Sequence, residues 1–157
     1  LTSDTRPNDL LVTVRALSAD DVDQVVVLEK EIFPDPWPRS AFEEQLKGPQ
    51  WGGIVAERDG RVIGYACYLI VANESHLTNI AVDPLHRRKS VAKRLLDRIL
   101  DIVNERQCEM LLLEVRTSNH AAITFYERFG FEMLYRRPNY YRRPVEDALV
   151  MVRHLTP

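Results

Sequence analysis

The chain has 157 residues, with 21 Lys and Arg against 23 Asp and Glu for a formal net charge of −2. That length suits one domain burying about two-thirds of its unfolded surface. The slightly acidic balance argues against DNA or general nucleic-acid binding, so any basic footprint must be local. Cys67 and Cys108 are isolated, lack metal-ligand spacing and lie in apolar segments, which predicts buried, reduced thiols in a cytoplasmic protein without a metal site. No apolar run reaches the roughly 18 residues of a membrane span and no charged-plus-hydrophobic leader is visible, so neither membrane nor export is expected. The chain begins with Leu rather than Met, which reads as trimming or processing.

Residues 1–10 are polar, contain Pro7 and are expected to form a flexible N-terminal segment, leaving residues 11–157 as the domain. Residues 11–17 alternate like a strand. Ser18 with Asp21 reads as a helix N-cap with an acidic third position, and Val22, Val25, Val26, Leu28, Glu29 and Ile32 continue as a helix with a broad apolar face. Phe33-Pro34-Asp35-Pro36-Trp37-Pro38 ends that helix, because three prolines cannot continue it. Ser40 is placed to cap a short second helix through Leu46, closed by Gly48.

Residues 54–57 and 62–71 flank Arg58-Asp59-Gly60-Arg61, where Asp-Gly signals a hairpin turn. Leu77-Thr78-Asn79-Ile80-Ala81-Val82 reads as a buried strand that Pro84 stops. Val91, Leu95, Leu96, Ile99, Leu100 and Val103 then recur at helical spacing. Arg87, Arg88 and Lys89 therefore sit where a strand turns into a helix, and a helix start suits anionic phosphate. Taken alone, three cations on a surface turn are ordinary solvated charge. Residues 110–115 form another apolar strand, after which Asn119 can cap a helix with inner face Ala122, Ile123, Tyr126 and Phe129, closed at Gly130. Residues 131–136 and 148–152 finish the sheet, joined by a loop carrying Tyr140, Tyr141 and four arginines. This order predicts an α/β or α+β sandwich around one sheet, with antiparallel hairpins at both ends.

Three segments together resemble the GCN5-related N-acetyltransferase (GNAT) superfamily, and most of all its branch acting on ribosomal-protein alanine N-termini. The first is Asn79-Ile80-Ala81-Val82 followed by Arg87-Arg88-Lys89-Ser90-Val91-Ala92, which is similar to the acetyl-CoA motif Q/R-x-x-G-x-G/A. The second is Leu113-Glu114-Val115-Arg116-Thr117-Ser118-Asn119, continued by Ala122, Phe125-Tyr126-Glu127 and Phe129-Gly130-Phe131. The third is Tyr140-Tyr141 followed by Glu146-Asp147-Ala148 and Met151. The segment from Phe33 to Trp37 resembles the family's Phe-x-x-Pro-Trp junction. The acetyl-CoA motif is weak by itself; three segments in order at these spacings are specific.

The resemblance implies one mixed, mostly antiparallel central sheet whose fourth and fifth strands splay apart, with helices on both faces. It implies that acetyl-CoA is the cosubstrate, with pantetheine in the splay served by backbone groups of Ile80, Ala81 and Val82. Arg88, Lys89, Ser90, Val91, Ala92 and Lys93 would hold the pyrophosphate, and Asn119 matches a cofactor-contacting asparagine, a role compatible with a simple helix cap. Glu114 matches the branch's proton acceptor and Tyr126 its proton donor to the coenzyme A sulfur. Without the resemblance, Glu114 would be read as the partner of Arg116 or another cation and Tyr126 as core packing. Glu74 is a second candidate base and substrate contact, and His76 a weaker one. Tyr140 and Tyr141 would form one wall of a peptide slot and Phe33 and Trp37 the other. The implied acceptor is a protein N-terminus, that of ribosomal protein S18 beginning with alanine, and the implied enzyme is a monomer or weak dimer. An RNA role for Arg136, Arg137, Arg142 and Arg143 ranks low against the acidic whole.

The family's central glycine is Ser90 here. If that position needs a left-handed backbone, a non-glycine residue costs roughly 1–2 kcal/mol, equivalent to about tenfold in cofactor affinity, while the hydroxyl could add a phosphate hydrogen bond. The chemistry needs a neutral amine, and the reference pKa of about 7.7–8 for an α-amine against about 10.4 for lysine makes lysine dearer by roughly 3–4 kcal/mol. A modest base therefore suffices for an N-terminus, and an apolar strand around Glu114 would desolvate the carboxyl toward useful basicity. Two alternatives stay open: an acetyltransferase of the same fold acting on a small-molecule amine or lysine, and a non-catalytic acetyl-CoA-binding module, for which Ser90 is the hint.

Overall fold

The computed structural model describes residues 11–87 and 90–155; segment 1–10, Arg88 and Lys89 lie outside the described residues. The strands are β1 (Val12–Ala16), β2 (Trp51–Arg58), β3 (Arg61–Val71), β4 (Glu74–Val82), β5 (Met110–Arg116), β6 (Glu132–Arg142) and β7 (Val145–His154). The helices are α1 (Val22–Ile32), α2 (Arg39–Glu44), α3 (Val91–Glu105) and α4 (His120–Arg128). The strands form one sheet in the order β1-β2-β3-β4-β5-β7-β6. Every neighbouring pair is antiparallel except β4 and β5.

Local signals account for most element ends. Asp59 and Gly60 both take positive φ, 53° and 75°, as a two-residue hairpin turn requires. Ser18 and Asp21 form a capping box, with the Ser18 N–H donating to Asp21 at 2.8 Å. Both terminal guanidinium nitrogens of Arg15 also donate to Asp21 at 2.8 Å, and Arg15 chiefly holds its carboxyl below the usual range. Ser40 does not cap α2. The helix begins at Arg39 with Pro38 in the cap position, where the Pro38 carbonyl accepts from the Ala41 N–H at 3.0 Å.

The β6–β7 connection is also shorter than predicted. Tyr140, Tyr141 and three of the four arginines belong to strand β6 rather than to a loop, and only Arg143 and Pro144 separate it from β7. The cause is non-local. Asp147 accepts from the Asn139 N–H at 2.9 Å and from Arg136 Nε at 2.6 Å, so the bulge between Arg137 and Tyr141 closes and pairing resumes at Tyr141 and Glu146. Asn139 itself takes φ 52°, a conformation asparagine tolerates better than most residues.

Helices cover both faces of the sheet. All six α3 positions expected inside are buried, packed with Ile54, Ile63, Leu111, Leu113, Val115 and, from α4, Tyr126. On the other face Val22, Val25 and Leu28 of α1 and Phe42 of α2 pack on Val55, Val62, Tyr65 and Ala81. Ile54 and Val55 are consecutive yet serve opposite clusters, the alternation a strand imposes. Cys67 and Cys108 are buried and free. Among the described residues no helix is long and apolar enough to cross a membrane, and no cluster of three His, Cys, Asp or Glu is placed to hold a metal.

Candidate active site

Strands β4 and β5 pair only from Glu74 opposite Met110 to Leu77 opposite Leu113. Neither strand stops there. β4 remains paired with β3 as far as Val82, and β5 with β7 as far as Arg116. The two therefore diverge, leaving the β5-facing backbone of β4 beyond Leu77 without a strand partner. A bulge lies at the fork: Tyr68 pairs with Leu77 and Cys67 with Asn79, so Thr78 is an extra residue. Such an insertion bends a strand and increases its twist.

Alternation decides what meets this slit. Leu113 and Val115 point into the core beneath α3 and α4, so Glu114 between them projects from the opposite face. Tyr126 rises from α4 within that same core. Glu114 and the α4 core that holds Tyr126 thus lie on opposite sides of the sheet.

Glu114 is exposed, and its Oε1 accepts from Arg137 Nη1 at 3.2 Å. The Glu114 carboxylate also acts electrostatically on Tyr140, adding to burial in pushing its phenol upward. The desolvated setting expected for this glutamate is therefore absent: adjacent Leu113 and Val115 serve the other face, and the buried Leu112 and Val150 on its own face leave it exposed. Its cation is Arg137 and not Arg116, which binds Glu146 at 3.3 Å instead. Tyr140 and Tyr141 meet edge to face at 5.0 Å. The Arg137 guanidinium lies over Tyr140 at 4.6 Å, and that of Arg116 over Tyr141 at 4.2 Å. Burial first and Glu114 second push both phenols up to about 12. Burial, with a smaller contribution from Tyr141, pushes Tyr126 up as well.

The turn from β5 into α4 is clamped from β7. Glu146 accepts from the Ser118 N–H at 2.7 Å, Thr117 Oγ1 at 3.1 Å and Arg116 Nη1 at 3.3 Å. These bonds, those from Ser118 first, hold its carboxyl at about 2. Asn119 Oδ1 accepts from the Ala122 N–H at 3.1 Å, so it is a helix cap.

The other predicted residues divide by what they can offer. Ile80 is half-buried, and Ala81, Val82 and Val91 are buried, which leaves their backbone groups as the contacts available to a ligand. Ala92 is half-buried, and exposed Lys93 pairs with Asp97 at 3.3 Å. Ser90 takes φ 62° and ψ 15° at the start of α3, and its side chain makes no cap bond. Glu74 Oε1 pairs with His76 Nε2 at 3.0 Å, and the register puts both on the Glu114 face.

Phe33 and Trp37 belong to a neighbouring group. Trp37 packs on Phe42 at 5.3 Å between centroids, its N–H donates to Glu29 Oε2 at 2.9 Å, and Phe33 joins the same α1–α2 cluster. Sequence reasoning missed the roles of Arg137, Glu146 and Glu29. Only Glu29 carried a usable signal, as one acidic residue among the apolar positions of α1.

The sequence profile described as "Acetyltransferase (GNAT) family" matches residues 22–131. The chain is 34% identical over 159 residues to the N-alpha-acetyltransferase RimI of Mycobacterium tuberculosis, covering 98% of this chain and 96% of that one. The crystal structure of the ribosomal-protein-S18-alanine N-acetyltransferase from Escherichia coli superposes with a TM-score of 0.86 at 31% identity, covering 93% of this chain and 95% of its own. Arabidopsis thaliana NAA60 in complex with acetyl-CoA superposes with a TM-score of 0.82 over 92% of this chain and 98% of its own, at 17% identity, a likeness of fold alone.

Proposed function

This chain belongs to the GNAT family of acetyltransferases, and from that premise we propose that it acetylates the α-amine of a protein N-terminus, that of ribosomal protein S18 beginning with alanine, using acetyl-CoA and residues 11–157 as one catalytic domain. The observation that carries the reading is the fork of β4 and β5, with Glu114 on one face of the sheet and Tyr126 on the other.

The residues present fit the cosubstrate. The β4 backbone at Ile80, Ala81 and Val82, free of a strand on the β5 side, offers hydrogen bonds to an extended arm bearing amides. The start of α3 offers N–H groups at Val91, Ala92 and Lys93, not competed for by a Ser90 cap bond, which suits a pyrophosphate; Arg88 and Lys89 precede Ser90 in the sequence. Asn119, which caps α4 just beyond β5, is the cofactor-contacting asparagine of this reading. Acetyl-CoA, when bound, supplies the thioester whose acyl carbon the amine attacks.

Glu114 receives the amine's proton. Arg137 fixes its carboxylate where an acceptor on that face arrives. Tyr126, from the core on the opposite face, is the proton donor of this reading, and burial keeps its phenol neutral, the state that can hand a proton to the departing sulfur. Tyr140 and Tyr141 line the acceptor side with two cation-backed rings, Phe33 and Trp37 form the other wall, and Glu74 with His76 adds a second acidic group. Discrimination against lysine follows from the roughly 3–4 kcal/mol extra needed to neutralise it.

Incubating an alanine-initiated peptide with acetyl-CoA and locating the acetyl group by fragment mass spectrometry tests this reading. The expected product carries it on the first residue. Labelling of lysine side chains, a polyamine or an amino sugar without α-amine product would overturn it. So would coenzyme A binding with no transfer to any amine, the behaviour of a non-catalytic module.

A further inference from the structure

Glu29 lies on the core face of α1 and is 2% exposed. Its carboxylate accepts three hydrogen bonds. The Trp37 N–H reaches Oε2 at 2.9 Å, while the Tyr65 hydroxyl and Asn79 Nδ2 reach Oε1 at 2.7 and 2.8 Å. All three donors are neutral. Burying a carboxylate among neutral donors is costly, and an apolar side chain would pack beside Val25 and Leu28 without that cost. What the carboxylate adds is geometry, since its partners sit on three different elements. Trp37 belongs to the connection between α1 and α2, Tyr65 to β3, and Asn79 to β4. Asn79 directly follows the bulged Thr78 and directly precedes Ile80, so it stands at the lip of the slit.

We propose that Glu29 is a positioning residue for the acceptor peptide: it holds the connection carrying Phe33 and Trp37 against the β4 lip and so sets the width of the channel that admits an N-terminus. The carboxylate touches neither substrate. This inference rests on Phe33 and Trp37 forming one wall of the peptide site. It assigns the peptide's KM, rather than the chemical step or the cosubstrate's affinity, to a buried side chain.

Three bonds through two oxygens also determine which substitutions are informative. Leu at position 29 preserves bulk and removes every bond. Gln can keep the Trp37 N–H on its carbonyl oxygen if its NH2 turns toward the Tyr65 oxygen and a rotated Asn79 carbonyl. Tyr65→Phe removes one bond and leaves the Trp37 tie intact.

The test measures steady-state kinetics with an alanine-initiated peptide beside acetyl-CoA affinity by calorimetry. Glu29→Leu is expected to raise the peptide KM at least tenfold, with kcat and acetyl-CoA affinity within about twofold of wild type. Glu29→Gln should restore the KM, and Tyr65→Phe should lower thermal stability without moving it. If Glu29→Leu does not fold, Asn79→Ala cuts the same tie from the β4 side and should raise the peptide KM. An unchanged peptide KM in Glu29→Leu or Asn79→Ala overturns the proposal, as does a loss shared equally by KM, kcat and acetyl-CoA affinity. Trp37→Ala separates the two readings. If it raises the peptide KM while Glu29→Leu does not, only the role of Glu29 fails; if it leaves the KM unchanged, the wall itself was misassigned.

Discussion

Replacing Ser90 by glycine distinguishes strain belonging to the fold from strain belonging to ligand binding. Ser90 takes φ 62° and ψ 15°, and its carbonyl accepts from the Arg94 N–H at 3.0 Å as the first bond of α3. The left-handed conformation is therefore fixed by the chain's own helix start, and its cost of roughly 1–2 kcal/mol is charged to folding. Tenfold weaker cofactor binding, the expectation from sequence, does not follow from strain of that origin. Glycine removes the strain but makes the unfolded chain looser by about 0.4–1 kcal/mol. The balance favours Ser90→Gly by about 0.5–1 kcal/mol, or roughly 1–4 °C in Tm for a chain of this size. The Ser90 side chain makes no cap bond, so the substitution removes no hydrogen bond from the helix start. Thermal melts and the acetyl-CoA KM, measured on the same preparations, provide the assay. A higher Tm with the KM unchanged within about threefold is expected. An unchanged or lower Tm together with a roughly tenfold lower KM would refute the reasoning, because the strain would then be taken up when the cosubstrate binds.

Glu114→Gln should lower kcat/KM for an alanine-initiated peptide by about 10²–10⁴, the range for a lost general base, with acetyl-CoA affinity retained by calorimetry; equal loss of both would point to damaged folding. Arg137→Ala removes both the 3.2 Å contact to Glu114 and the cation over Tyr140, so kcat/KM should fall by less than in Glu114→Gln, and Arg137→Lys should recover part of it. Glu146 is held at about 2, below its ordinary 4.5. A depressed carboxylate contributes stability that is present above the unfolded value and lost as pH falls through the folded one. The Tm difference between wild type and Glu146→Ala should accordingly be full at neutral pH, shrink from about pH 4.5 downward and vanish near pH 2; a difference independent of pH would remove the carboxylate's charge from the explanation.

What the sequence disclosed was mostly what neighbouring residues decide among themselves. The six-residue face of α3, the Asp59-Gly60 turn, the Ser18–Asp21 box and the Asn119 cap each depend on residues within a few turns of helix or one hairpin, and each is found in place. The segment around Tyr140 looked like a loop because Pro138 and Asn139 are local breakers, yet Asp147 supplies bonds from across the hairpin that keep it a strand. Glu114 looked desolvated because Leu113 and Val115 are apolar. Alternation sends it to the opposite face, and its cation lies 23 positions away. Glu29 was legible as an anomaly in an apolar stripe, but its three partners come from separate parts of the chain and no local spacing predicts them.

The same alternation explains why acyl transfer suits this sheet. In a sheet with all strands paired, Glu114 and Tyr126 would be separated by a hydrogen-bonded layer and could not act on one bond. Here pairing between β4 and β5 lasts only four residues, and the extra residue at Thr78 bends β4 at that boundary. The opening begins beside Glu114, the first β5 residue beyond the paired stretch. In the proposed reaction the amine adds to the acyl carbon from the Glu114 face, giving a tetrahedral intermediate that expels the sulfur as a thiolate, with Glu114 taking the amine's proton and Tyr126 supplying one to the sulfur. Each group needs only its own local setting: a polar surface with Arg137 for the carboxylate, and an apolar core that keeps the phenol protonated. A site with both groups on one face would have to maintain these opposed environments side by side, whereas the sheet keeps them apart.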